Sequence, residues 1–107
     1  MIATTPTPPY YAVIFTSIRT DAEAAAYSDI AERMMELAAA QPGFLGVESA
    51  REGVGITVSY WQSLEAIRAW KANAEHLTAQ QNGRELFYSH YKTRIAKVER
   101  DYGFVSA

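Results

Sequence analysis

The chain has 107 residues, 49% hydrophobic and 21% charged, with a formal net charge of −2, which suits one soluble globular domain and leaves no room for two. That charge gives no electrostatic drive toward nucleic acid or an anionic membrane. With no cysteine and only His76 and His90 as histidines, disulfides, thiolate nucleophiles, cysteine metal sites and a three-histidine zinc site within one chain are excluded.

Met1–Pro9 reads MIATTPTPP. Its threonines and prolines predict a flexible, extended tail over residues 1–9, and it lacks the basic start and apolar run of a signal peptide. No stretch approaches the roughly 18 apolar residues of a membrane span, so a cytoplasmic protein is expected. YYAVIFTSIR, 10–19, is rich in aromatic and β-branched residues and reads as a strand. Tyr10, Ala12, Ile14 and Ile18 fall on one side, Tyr11, Val13 and Phe15 on the other. A strand apolar on both sides belongs in the middle of a sheet, covered twice.

Thr20-Asp21-Ala22-Glu23 fits a capping box, with Thr20 as N-cap. Tyr27, Ile30, Ala31, Met34, Leu37 and Ala38 then recur at helical spacing, with Asp29, Glu32, Arg33 and Glu36 off the stripe. Pro42 and Gly43 end that helix by Gln41. FLGVESARE (44–52) is a second strand, EGVG (52–55) a hairpin turn, and GITVSYW (55–61) a third strand with Ile56, Val58 and Tyr60 facing away from Thr57, Ser59 and Trp61. Ser63 is the N-cap of a second helix bearing Ile67, Trp70, Ala74 and Leu77 on one side, and Asn82-Gly83 breaks it. A last strand spans about Tyr88 to Tyr102. Its His90 is expected to pack among tyrosines, and its Lys92, Arg94, Lys97 and Arg100 to mark a solvated edge or, more sharply, to meet ligand carboxylates.

The order β-α-β-β-α-β predicts an α+β, ferredoxin-like antiparallel sheet with both helices on one face. The other face would carry large apolar side chains, and a second copy of the sheet is the physical remedy. A homodimer with sheets face to face is therefore expected.

QPGFLGVESAR (41–51), SYWQSLEAIRAWKANAEH (59–76) and RIAKVER (94–100) resemble the antibiotic biosynthesis monooxygenase family. The resemblance covers about residues 10–104, leaving 105–107 as a tail. It implies a dimeric α/β barrel with a pocket between helices and sheet in each subunit. It also implies a monooxygenase-like enzyme acting without a cofactor on a small planar or aromatic substrate. Related IsdG-type enzymes bind and open haem, and other members have no known activity, so haem binding and a non-catalytic ligand-binding module stand as alternatives. The haem-opening pattern has a histidine ten residues after the helix tryptophan and an asparagine on the first strand. Here Gln80 stands ten residues after Trp70, His76 only six after it, and Thr16 or Ser17 where the asparagine belongs.

Within this frame His76 is the candidate base, because its intrinsic pKa lies near neutrality, and Asn73 a candidate oxyanion donor. Trp70, Phe15, Thr16 and Met34 are candidate substrate-binding residues. Each has a plainer reading: Trp70 and Met34 as core, Asn73 and His76 as solvated helix residues. Six residues along a helix turn His76 about 120° from Trp70, to the margin of the apolar stripe. No glycine-rich phosphate fingerprint follows a strand.

Overall fold

The computed structural model describes residues 1–21, 24–81 and 87–107, with the backbone alone for residues 24–26 and 77–81. Its elements run β1 (Tyr10–Arg19), α1 (Ala24–Ala39), β2 (Phe44–Arg51), β3 (Gly55–Trp61), α2 (Leu64–Gln81) and β4 (Tyr88–Val98). The four strands form one antiparallel sheet in the order β2-β3-β1-β4. This is the expected ferredoxin-like arrangement, with the twice-apolar strand β1 in the interior.

One face of the sheet carries both helices. Trp61 of β3 is completely buried and forms the core with Ala38 of α1 and Ile67 of α2. Tyr11, Val13, Phe44, Ala66 and Trp70 close around them. On α1 the predicted stripe faces inward, while Asp29, Glu32, Arg33 and Glu36 are exposed. The helix ends at Ala39, and Gly43, at φ 86°, makes the turn into β2. Its carbonyl accepts from the Gln62 amide at 2.7 Å, joining the turn before β2 to the turn after β3. Ser63 caps α2 as its sequence position implies: the Ala66 amide donates to Ser63 Oγ at 3.1 Å. Ala22 and Glu23 of the capping box and the Asn82-Gly83 break lie outside the described residues.

The second face carries Tyr10, Ala12, Ile14, Thr16 and Ile18 of β1 beside Ile56, Val58 and Tyr60 of β3. Tyr10 and Ala12 are buried, but Ile18 and Ile56 remain 42% and 46% exposed. Tyr10 meets Tyr60 edge to face at 5.8 Å. Its hydroxyl donates to Asp101 and accepts from Thr5 Oγ1. The Ala3 amide donates to Glu48 at 2.9 Å, so both ends of the chain bond to this side of the sheet.

Strand β4 departs from expectation in two ways. It ends at Val98, because Val98 pairs with Tyr10, the first residue of β1, and no strand remains beyond. The pairing also shifts register between Ile18 and Arg19. His90, in regular register opposite Ile18, lies on the second face and is exposed, not packed among tyrosines, while the shift turns Tyr88 to the helix side that Tyr91 already faces.

Candidate functional site

The six residues singled out from sequence do not converge. Trp70 is half-buried and stacks on Trp61, ring centres 5.9 Å apart and 21° between planes, as part of the core floor. Asn73 is exposed and donates to Gln41 Oε1 and to the Ala69 carbonyl, both at 3.2 Å. His76 is exposed on the same helix. Met34 is half-buried on α1. Phe15 faces the helices, whereas Thr16, paired with Ile56 and Lys92, faces the other way. The sheet itself thus separates Phe15 from Thr16. An imidazole at the solvent-facing side of α2 also does not supply the protected iron ligand that a haem needs, so haem does not fit this placement. Among the described residues no group of three or more histidine, acidic or cysteine side chains is placed to hold a metal ion.

What the fold does assemble lies where β1 and β2 end and β3 and β4 begin. Phe15 meets Tyr88 and Tyr91, each at 5.4 Å between ring centres. Tyr27 of α1 meets Phe87 at 5.6 Å and Tyr88 at 6.0 Å, both edge to face. Such edge-to-face pairs add to the burial energy of the rings. The register shift brings Tyr88 and Tyr91 to one face although they are three residues apart, a spacing that regular alternation would put on opposite faces.

Two arginines border these rings. The Arg19 guanidinium lies over the Tyr27 ring, 3.6 Å from its centre, and that of Arg51 lies 6.0 Å from it. Arg51 Nη2 donates to Ser17 Oγ at 2.5 Å and Nη1 to the Ser17 carbonyl at 3.5 Å. Ser17 is 1% exposed, the buried polar residue of β1 among the described residues. Gly55 makes this reach possible. It pairs with Arg51 across the hairpin, and a Cβ at Gly55 would stand 2.1 Å from Arg51 Nη2. The Nε of Arg19 is buried with no hydrogen-bond acceptor among the described residues. The Tyr88 hydroxyl is pushed well above the ordinary tyrosine range, first by burial and then by its hydrogen bond with Tyr27, with Arg51 and Arg19 pulling the other way. Tyr88 therefore stays a neutral hydrogen-bonding hydroxyl near pH 7.

Of this group Phe15 was singled out from the sequence, while Arg19 and Arg51 escaped that reading. Ser17 inside an apolar strand and an arginine four residues before a glycine across EGVG were the available signals. Neither has force until the hairpin pairs Arg51 with Gly55.

A family model described as antibiotic biosynthesis monooxygenase matches residues 9–82. YqjZ of Bacillus subtilis (strain 168), described as an uncharacterized protein, is 54% identical over 101 residues, spanning 92% of this chain and 88% of YqjZ. Among solved structures, SnoaB of Streptomyces nogalater, a cofactor-independent oxygenase, is similar with a TM-score of 0.70 at 13% identity, covering 88% of this chain and 97% of SnoaB. PA3566 of Pseudomonas aeruginosa is similar with a TM-score of 0.67 at 17% identity, covering 91% of this chain and 99% of that one. At such identities the likeness is one of fold.

Proposed function

The chain belongs to the antibiotic biosynthesis monooxygenase family, and from this we propose that it is an oxygenase-like enzyme acting on a planar aromatic substrate without a nucleotide cofactor. The observation that carries the reading is the group of rings from Phe15, Tyr27, Phe87, Tyr88 and Tyr91 on the helix-covered face. These rings touch one another, and the outer surface of such a cluster can offer a flat ligand stacking or edge contacts. The likeness to SnoaB supports the same reaction class.

An electron-rich aromatic anion can pass electrons to dioxygen directly. Oxidation of a ring methylene then balances as CH2 + O2 → C=O + H2O, with dioxygen taking four electrons and no external reductant. The protein's part is to hold the ring, exclude water and stabilise charge on the substrate oxygen through fixed donors. The neutral Tyr88 hydroxyl serves as such a donor by turning its proton from Tyr27 to the substrate oxygen. His76 is given no part in this scheme, since it is exposed on α2.

Oxygen uptake with a panel of polycyclic phenols and anthrones tests the reading. Consumption of one dioxygen per product is expected, with Tyr88→Phe lowering turnover about tenfold or more and His76→Ala within about twofold of the parent. A panel that draws no oxygen, or a His76→Ala variant that abolishes uptake, overturns it.

We also propose that the second face of the sheet pairs with that of another copy. The exposed Ile18 and Ile56 support this, as do Tyr102, Phe104 and Val105, which stand almost entirely in solvent after β4.

A further inference from the structure

We propose that Arg19, Arg51 and Ser17 form an oxyanion-recognition subsite at the edge of the aromatic cluster, so that the ligand is an aromatic anion. This rests on the reading above and narrows its substrate class.

Three observations converge. First, both guanidiniums gather at one ring, that of Tyr27. No carboxylate pairs with either among the described residues. Cations beside a half-buried aromatic surface are ordinarily matched by an acid. Second, Arg19 Nε is a buried donor without an acceptor among the described residues, and an oxygen of a ligand is a partner that suits such a group. Third, Arg51 is held in place. Gly55 leaves room for its side chain, and buried Ser17 binds its Nη2 and Nη1. These two bonds use two of its five guanidinium N–H groups, and the residue is exposed. Fixing an arginine this way lowers the entropy lost when it meets an oxyanion.

The chemistry selects the ligand. Walls of Phe15, Tyr88 and Tyr91 suit a flat ring. The two cations favour a carboxylate or an ionised phenol on that ring over its neutral form. A phenol bound here loses its proton to solvent more readily, which leaves the electron-rich species that reacts with dioxygen, and no dedicated side-chain base is required.

Binding of 2-naphthoate and of uncharged 2-naphthamide to the full chain, followed by titration calorimetry at pH 7, tests the proposal. Naphthoate is expected to bind about tenfold or more tightly than naphthamide. Arg19→Gln and Arg51→Gln should each remove most of that preference and leave naphthamide binding unchanged. Gly55→Ala keeps Arg51 but drives its guanidinium from Ser17, and should also weaken naphthoate binding about tenfold while far-UV circular dichroism stays that of the parent. Should an arginine variant fail to fold, the naphthoate preference of the parent and its loss in Gly55→Ala decide. Equal binding of the two ligands by the parent, or full naphthoate affinity in Gly55→Ala and Arg51→Gln, overturns the subsite. Charge-selective binding without oxygen uptake keeps the subsite and defeats the oxygenase reading. Oxygen uptake undiminished in both arginine variants does the reverse.

Discussion

Tyr60 and Glu48 share a hydrogen bond of 2.5 Å between neighbouring strands, the phenol donating to Oε1. Each partner's titration reports it. Glu48 is held below its ordinary value of 4.5, first by the Tyr60 hydroxyl and then by the Ala3 amide. Tyr60 is pushed from 10.0 up to about 12, by burial and then by Glu48. A lowered carboxylate contributes stability above pH 4.5 and loses it as pH falls through the lower folded value. A raised phenol contributes below pH 10.0 and loses it as pH rises toward 12. The stability difference between the parent and Tyr60→Phe should therefore be flat from pH 4.5 to 10.0 and shrink on either side. Because the pair is partly solvated, its plateau should be about 1 kcal/mol. Urea unfolding across pH checks this, and a difference that grows toward either extreme refutes it. At this scale the sequence marked Trp70 and Trp61 by their patterns. It was silent on Arg19 and Arg51, since a charged residue near a strand end usually faces water.

Elements were the most legible level, because helices and strands announce themselves by period and by end signals. Ser63 and Gly43 both act where their residue types imply. Gly43 gives a second prediction. At φ 86° an alanine is strained, and its Cβ would stand 2.7 Å from that of Ala66. Gly43→Ala should cost about 2 kcal/mol and lower Tm by roughly 10 °C, measured by thermal unfolding. An unchanged Tm would mean that the turn before β2 does not brace α2. The shift in β4 was not legible, since a bulge adds a residue without changing composition. It turned Tyr88 to the helix side, beside Tyr91 and Phe15, while His90 kept its regular place on the second face. The basic residues of β4 do lie on an edge strand and are exposed, as suits an edge that must not pair further.

For the whole molecule, the question is what covers the second face. Its middle is Val58 and Ile14, paired across β3 and β1. If two copies meet there, Val58→Asp puts a charge into a dry interface and should convert a dimer to a monomer in sedimentation velocity at micromolar concentration. A parent that already sediments as a monomer refutes the proposed pairing. Any exposed carboxylate elsewhere, as in Glu32→Gln, should leave the assembly unaltered.

From the sequence alone came the element order, the ferredoxin-like topology, the apolar character of both sides of β1 and the resemblance to a family. All of these follow from local periodicity and from the few ways a short chain can bury its stripes. Tertiary structure alone decided which chemistry-bearing side chains meet. Arg51 reaches Ser17 because pairing across a hairpin sets it against a glycine, and Tyr88 joins Phe15 because the β4 register slips by one position. Both depend on contacts between residues distant along the chain, where one residue's offset decides which side of the sheet a side chain occupies.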